Sequence, residues 1–267
     1  MASFATLDLT EWDDFTGGFE KGELIIVGAR PSMGKTTWAL AMIKRIIHRG
    51  KIVKLFSYEM SRRQLINRFV SADMGIPYLR LKKAQLTKEE LQQALELYDF
   101  YDNHPYLIII QPKDKSISTF NQYMLEHPGD LTVVDYLQLM NGDSKVRKAG
   151  NREQEISIVS GNLKEQAMLR NEAIIALSQL NRASHGKKPG LNDLRESGAI
   201  EQDADNVVFI HREAYYAIQN GSTVPQYEIG NTDVIVAKGR EIGTGVFKMH
   251  LDLINTTIEE GWRYSNN

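Results

Sequence analysis

The chain has 267 residues, of which 42% are apolar and 25% are charged, with a net charge of −2 and no cysteine. This composition is typical of a globular protein, and the missing cysteine excludes disulfides and thiolate metal sites. The small net charge gives no global indication of nucleic-acid binding, so such a function would have to rest on local sites. No apolar run reaches the length of about 18 residues that a membrane helix needs. The N-terminus MASFATLDLT lacks the pattern of a signal peptide, and we expect a cytoplasmic protein.

Short apolar runs alternate with longer amphipathic segments along the chain. The runs predict strands at 22–29, 52–58, 106–111, 131–137, 173–179, 205–211, 233–239 and 246–253. They are rich in Ile, Val and Leu and do not alternate with polar residues, which is typical of strands buried on both faces. Helices are predicted at about 35–49, 61–73, 87–103, 116–126 and 152–171, the last with apolar residues at Ile156, Val159, Leu163, Ala167 and Leu169. The alternation predicts one α/β domain over residues 1–267, with a mainly parallel twisted sheet and helices on both faces.

The first predicted strand ends in GARPSMGKTT (28–37), which matches the pattern G-x-x-x-x-G-K-[ST]. The match lies between a strand and a helix, as a phosphate-binding loop requires. Backbone N–H groups of such a loop surround the phosphates, the lysine reaches the β- and γ-phosphates, and the hydroxyl coordinates Mg²⁺. The sequence therefore predicts a site for ATP or another NTP with Mg²⁺. Its residues are Gly28, Ala29, Arg30, Pro31, Ser32, Met33, Gly34, Lys35, Thr36 and Thr37.

Three polar side chains follow other predicted strands, at the edge of the sheet where ligands bind in such folds. Asp135 in LTVVDYLQLM is in the position of a second magnesium ligand, although an isolated aspartate there is more often a cap or turn residue. Glu59 in SYEM could accept a proton from the attacking water, or it could be a helix cap or surface residue. Gln179 in ALSQLNR could sense the γ-phosphate. Strand positions alone leave the roles of Glu59 and Gln179 open.

Taken together, these motifs resemble a known family. The segments GARPSMGKTT, SYEM, VVDYLQLM, NREQEI, ALSQLNR, DLRESGAIEQDAD and the K-x-R of VIVAKGREIG occur in the order found in the RecA-like ATPase domain of DnaB-type replicative helicases. The resemblance covers residues 12–262 and is more specific than the phosphate-binding loop alone. It implies a homo-hexameric ring that hydrolyses ATP between subunits and translocates 5′→3′ on single-stranded DNA.

The resemblance also implies roles for individual residues. Glu59 would be the catalytic base, Gln179 the γ-phosphate sensor, and Lys238 and Arg240 the cations inserted into the neighbouring subunit's site, although without the family they would pass for an ordinary charge cluster. Contacts to DNA phosphates would come from Arg195, Glu196 and Gly198 in the acidic segment LNDLRESGAIEQDAD (191–205). We expect a short helix in that segment, whose first backbone amides could face a phosphate without positive side chains. A basic loop at 141–152 is a further candidate for DNA contact, or simply a solvated loop.

Two departures from the family pattern limit what the resemblance implies. The N-terminal helical domain and linker helix of the family are missing here, so we expect either the motor domain cut from a longer protein or a natural minimal member. Primase and helicase-loader contacts are then expectations for a full-length context only.

Two alternative functions remain open: a RecA/RadA-like recombination ATPase, and a catalytically silent oligomerisation or loader-binding module. After Arg240 the chain reads EIGTG where the family pattern is closer to NGPIG.

Overall fold

The structure is a computed structural model and describes residues 6–142, 152–181, 184–194 and 198–262. Its strands form one sheet in the order β3-β2-β4-β5-β1-β6-β7-β8-β9 within these residues. Their bounds are β1 Leu24–Ala29, β2 Val53–Ser57, β3 Leu107–Ile110, β4 Leu131–Asp135, β5 Ala173–Gln179, β6 Asn206–His211, β7 Asn231–Gly239, β8 Gly245–Asp252 and β9 Thr257–Glu260. All eight predicted strands are present, and β9 is an addition.

The sheet is parallel from β3 to β6 and antiparallel from β6 to β9. Parallel neighbours need a crossover connection, which the long amphipathic segments of the first half supply. Short turns join β7 to β8 and β8 to β9, and such turns suffice only for antiparallel pairing, whereas the longer segment 212–230 joins β6 to β7. The carboxyl ends of the parallel strands therefore lie along one edge of the sheet, and the prediction of a mainly parallel sheet is confirmed.

Side chains cap the N-termini of some of the helices. In the described part of the chain the helices are α1 Thr10–Thr16, α2 Lys35–Ile47, α3 Arg62–Met74, α4 Tyr78–Lys82, α5 Lys88–Asp102, α6 Ile117–Glu126, α7 Arg152–Arg170, α8 Gly198–Asp203 and α9 Glu213–Gln219. Ser61 and Thr87 each form a reciprocal capping box with the residue three positions later, Gln64 and Glu90. Such caps fix where α3 and α5 start.

Two apolar cores lie on opposite faces of the sheet, because successive strand residues point to opposite sides. Ile25 and Val27 of β1 belong to a core that includes buried residues of α1, α2, α3 and α5. Leu24 and Ile26 belong to a second core with buried residues of α6, α7 and α8. Helices therefore cover both faces, as predicted.

Two details differ from the sequence prediction. The sequence pattern predicts Leu169 on the buried face of α7, but its side chain is 67% exposed. It lies two positions after the buried Ala167 and thus on the far side of a 3.6-residue turn. The helices α1, α4 and α9 were not predicted, since five to seven residues are too few to show a helical period. No helix in the described ranges is long and apolar enough to cross a membrane.

Candidate active site

The phosphate-binding loop connects β1 to α2 and depends on two glycines. Gly34 has a φ of 91°, and a Cβ placed on it would lie 2.7 Å from side-chain atoms of Leu251 and Leu253. A Cβ on Gly28 would lie 2.8 Å from the Phe209 ring. Only glycine fits both positions, because the first needs the left-handed backbone region and both need close approach. The first N–H groups of α2, from Lys35 onward, have no partner within the helix and face the space beyond the loop.

Thr36 and Asp135 meet across the strand ends. The Thr36 hydroxyl Oγ1 donates to Asp135 Oδ2 at 3.1 Å. The buried Asp135 Oδ1 has no hydrogen-bond partner among the described residues. Burial raises the pKa of the Asp135 carboxyl, against the opposing effects of Lys35 and the Thr36 hydrogen bond. A buried carboxylate with a free oxygen beside a hydroxyl favours a bound cation at this position.

Lys35 lies in the same cluster of charges. Burial lowers the pKa of its ammonium group, while the carboxylates of Asp135 and Glu59 oppose the shift. Its Nζ lies 4.7 Å from the centre of the Tyr136 ring, a cation–π contact that holds the side chain over the loop. The ammonium group therefore lies where a phosphate would compensate its lost hydration.

A cavity of about 330 Å³ joins these residues at the carboxyl edge of the sheet. It is lined by Ala29, Arg30, Pro31, Ser32, Gly34, Lys35, Thr36, Thr37, Glu59, Arg68, Tyr136 and Gln179. The register explains the convergence, because Gln179 pairs with Ala29 and Ser57, two residues before Glu59, pairs with Asp135. Of the predicted loop residues, Gly28 and Met33 do not line the cavity. The Met33 side chain is buried in the core instead.

Several side-chain contacts around the cavity have no distinguishing sequence pattern. Gln138 holds the end of β5: its Oε1 accepts from the Gln179 backbone N–H at 3.1 Å, and its Nε2 donates to Ser178 Oγ at 2.7 Å. Arg30 Nη1 donates to the carbonyl oxygens of Leu180 and Asn181, both at 3.1 Å, and so ties the loop to the same strand end. Arg68 of α3 lines the cavity as a second cation. The folded arrangement alone identifies Gln138 and Arg68, whereas Arg30 is already one of the predicted loop residues.

A second cavity, of about 460 Å³, adjoins the loop on its other side. Its lining includes Arg212, Tyr227, His250 and Leu253. Arg212 Nη1 donates to the carbonyl oxygen of Ser32 at 3.4 Å, and Leu253 packs against Gly34. These two contacts place the mixed apolar and polar space beside the loop.

Lys238 and Arg240 lie at the opposite edge of the sheet from the loop. Gly239, between them, pairs with Asn206, and Asn206 pairs with Ile25 near the start of β1. Ile25 and Ala29 are four residues apart along β1, so about 13 Å of strand separates the level of Gly239 from Ala29, where the loop begins. Lys238 Nζ donates to the carbonyl oxygens of Glu201 and Ala204 at 2.5 and 2.7 Å. Burial, together with the nearby Arg240, lowers the pKa of the Lys238 ammonium group. The structure does not bring this pair to the cavity of its own chain, and their catalytic role stays a prediction.

The predicted DNA contacts are only partly described. Arg195 and Glu196 lie outside the described residues, as do 143–151 of the basic loop. Gly198 begins α8, the short helix expected in the acidic segment. Arg152, counted among the cations of the basic loop, starts α7 and donates through Nη2 to the carbonyl oxygen of Gln138 at 2.7 Å. That contact places Arg152 against the strand end, next to the residue that holds Gln179.

The oxygen donors fit a magnesium ion. Mg²⁺ prefers oxygen ligands and takes few from the protein, with water and substrate phosphates completing the shell. Thr36 and Asp135 supply such oxygens at the end of the loop. No group of three or more His, Cys, Asp or Glu side chains suited to a metal occurs in the described ranges.

A glycine loop between strand and helix, a lysine over it, and a hydroxyl paired with a strand-end aspartate define a P-loop nucleotide-binding protein. Residues 5–259 match the family model of the DnaB-like helicase C-terminal domain. The chain belongs to that family. The predicted family resemblance and RecA-like fold are thereby confirmed.

Individual relatives agree with the family. A probable replicative DNA helicase of Trieres chinensis is 38% identical over 253 residues, which are 90% of this chain and 53% of that protein. The replicative DNA helicase DnaB of Geobacillus stearothermophilus is 37% identical over 214 residues, 78% of this chain and 47% of that protein. The chain thus spans about half the length of the curated relatives it matches.

Solved structures show the same fold. One of them, described as an ATPase domain, superposes with a TM-score of 0.83 at 28% identity, covering 97% of this chain and 92% of that one. A DnaB-like replicative helicase, described together with its interactions with primase, superposes with a TM-score of 0.82 at 28% identity. That match covers 95% of this chain and 61% of the other.

Proposed function

We propose that this chain is the ATP-hydrolysing motor of a replicative DNA helicase and that it works as a hexameric ring on single-stranded DNA. One observation carries the proposal: Lys35, Thr36, Glu59 and Gln179 line one cavity at the end of the phosphate-binding loop, and Asp135 accepts a hydrogen bond from Thr36 beside it. Phosphoryl transfer needs little covalent participation by the protein, so positioning and charge stabilisation account for most of the catalysis. The residues present supply both.

Each residue then has a chemical role. Lys35 and the loop N–H groups bind the phosphates, while Thr36 and Asp135 hold Mg²⁺, which neutralises charge on the phosphate oxygens when bound. Glu59, exposed at the cavity wall, accepts a proton from the attacking water. The Gln179 amide, fixed by Gln138, contacts the γ-phosphate. The nucleoside lies in the second cavity, beside Arg212.

The proposed site is completed by a second subunit. Lys238 and Arg240 cannot reach the phosphates of their own chain, because they lie at the other edge of the sheet. A neighbour that presents this edge to the cavity would place both cations on the γ-phosphate, where such a group contributes about 10³–10⁵ in rate. The contact joins two different surfaces of the same chain, and repeating it gives a ring or a helical filament. The family resemblance supports a ring of six subunits as the proposed form.

DNA, primase and loader remain proposals as well. We propose that Arg195, Glu196 and the backbone at Gly198 contact phosphates of single-stranded DNA, which positions the strand without reading its bases. Primase and a helicase loader are the proposed protein partners. One structural relative is described with its interactions with primase. A cytoplasmic location remains a prediction.

Hydrolysis by the Lys35→Ala variant tests the nucleotide site. Wild-type chain should hydrolyse ATP with Mg²⁺, faster when single-stranded DNA is added, and binding to that DNA should weaken with salt at a slope of about −0.7 per phosphate contacted. Lys35→Ala should abolish hydrolysis, with Lys51→Ala, a lysine outside the cavity, as the matched control. Unchanged hydrolysis in Lys35→Ala would refute the site.

The same measurements separate the alternative functions. A silent oligomerisation or loader-binding module would show no hydrolysis at any protein or DNA concentration. A RecA/RadA-like recombination ATPase would form filaments on DNA and exchange strands. Sizing by mass with and without nucleotide and DNA distinguishes a hexamer from such a filament.

A further inference from the structure

Asp205, which follows α8 and precedes β6, is a fixed and nearly buried carboxylate. Its side chain is 10% exposed. Oδ2 accepts from the backbone N–H of Leu24 at 2.7 Å and from Lys164 Nζ at 2.6 Å. Lys164 also donates to the carbonyl oxygen of Gly22 at 2.9 Å. The Oδ2 atom of Asp205 is therefore held by the start of β1 and by α7.

The other carboxylate oxygen of Asp205, Oδ1, faces Arg240. Arg240 Nη1 donates to Asp205 Oδ1 at 2.9 Å, and Nη2 donates to the carbonyl oxygen of Gln202 at 2.6 Å. A guanidinium group is planar, so two contacts along one edge fix the orientation of the whole group. The Arg240 side chain is nevertheless 46% exposed. Its plane is set by its own chain, while its outer side faces away from that chain.

We propose that Asp205 is a positioning residue for Arg240, holding the guanidinium in the orientation in which it meets the γ-phosphate bound to the neighbouring subunit. The inference rests on the proposed function, which assigns Arg240 to that phosphate. An arginine side chain free in solvent samples many rotamers, and each must be given up before it can stabilise the transition state. A group already fixed by Asp205 and Gln202 avoids that loss, as preorganised charge stabilisation requires.

The variant Asp205→Asn removes this contact selectively. The single amide oxygen of asparagine would face the two donors, Leu24 N and Lys164 Nζ, which leaves the NH₂ group opposite Arg240. Two donors repel, so the guanidinium loses its anchor while the anchoring of residue 205 to β1 remains. We expect kcat for ATP hydrolysis in the presence of single-stranded DNA to fall about 10- to 100-fold, with KM changed by less than about threefold. Glu241→Gln, which removes an exposed carboxylate next to Arg240, is the matched control and should stay within about twofold of wild type.

Two readouts separate positioning from a structural role. In an Arg240→Ala background, Asp205→Asn should lower kcat no further, because the residue it positions is already gone. In mixed assemblies, Asp205→Asn subunits should regain hydrolysis with Glu59→Ala subunits and not with Arg240→Ala subunits, since the defect lies on the side of the junction that donates the cation. Thermal unfolding and sizing verify that each variant folds and assembles.

Other outcomes would overturn the inference. An equal loss from Asp205→Asn with and without Arg240, or a rise in KM in place of the fall in kcat, would show a structural role and leave the proposed function intact. Wild-type hydrolysis by Arg240→Ala would overturn the proposed role of Arg240 and this inference with it. Arg240→Lys gives a second test that leaves Asp205 in place: it keeps the charge but loses the planar two-point contact, and we expect kcat to fall about tenfold or more. Hydrolysis at the wild-type rate by Arg240→Lys would show that charge alone suffices.

Discussion

Mixing two inactive variants tests whether one active site is divided between two subunits. Glu59 lies at the cavity beside the phosphate-binding loop, whereas Arg240 lies at the opposite edge of the same chain. Glu59→Ala removes the proposed base, worth about 10²–10⁴ in rate, and Arg240→Ala removes the proposed trans cation, worth about 10³–10⁵. Each variant alone should therefore show almost no hydrolysis while still binding nucleotide.

A mixture should recover activity by an amount that the geometry sets. A junction is complete only where an Arg240→Ala subunit supplies the cavity and a Glu59→Ala subunit supplies the cation. At equal amounts, random assembly makes about one quarter of junctions complete, and any other ratio makes fewer. Hydrolysis should then reach about 25% of the wild-type rate if junctions act independently.

The assay mixes the variants without nucleotide, assembles them with ATP, Mg²⁺ and single-stranded DNA, and measures phosphate release across mixing ratios. Mixtures of Glu59→Ala with Lys35→Ala are the control, because both defects then lie on the cavity side and no junction is complete. The absence of recovery at every ratio, in assemblies shown by sizing to contain both variants, would refute a site shared between subunits.

Three further predictions concern single residues. Asp135→Asn should raise the Mg²⁺ concentration needed for half-maximal hydrolysis and lower kcat at least about 100-fold, because the metal would lose a charged oxygen donor; a magnesium titration with an unchanged midpoint would contradict this. Lys54→Met should lower the free energy of unfolding by about 3–5 kcal/mol in urea denaturation, because it leaves Glu172, which is 2% exposed and 2.8 Å from Lys54 Nζ, without its cation. For Asp233, burial acts to raise the pKa, but hydrogen bonds from two lysine ammonium groups at 2.8 and 2.5 Å keep it below the usual 3.8. Its contribution to stability is therefore present above that pH and is lost as pH falls through the lower folded pKa. Asp233→Asn should thus lower the melting temperature at pH 7 and have a shrinking effect in acid, and a pH-independent difference would refute the ion pair as its cause.

The sequence was most informative where function depends on neighbouring positions in the chain. The loop from Gly28 to Thr37 is contiguous, so its pattern could be recognised directly. Asp135 and Gln179 could be predicted to meet because parallel strands bring their carboxyl ends to one edge of a sheet. Glu59 required only that its strand be placed in the same sheet.

Other parts of the site depend on side-chain packing that no local pattern encodes. The sequence around Gln138 shows no pattern that predicts its hydrogen bond to the Gln179 backbone. Arg68 is one of several arginines on α3, and no pattern distinguishes it from the others. The placement of Arg240 follows from the antiparallel register of β7, which apolar runs do not specify. For that reason its contact with Asp205 could not be predicted.

The separation of Lys35 and Arg240 across the sheet also has a consequence for regulation by assembly. In the proposed arrangement a closed ring contains as many complete sites as subunits, whereas a ring opened at one junction contains one fewer. Opening the ring to admit DNA would stop hydrolysis at the open junction and leave the sites at the other junctions able to hydrolyse ATP. A helicase of this design would need no separate switch to limit ATP hydrolysis while it is loaded onto DNA, because an open ring already has one active site fewer.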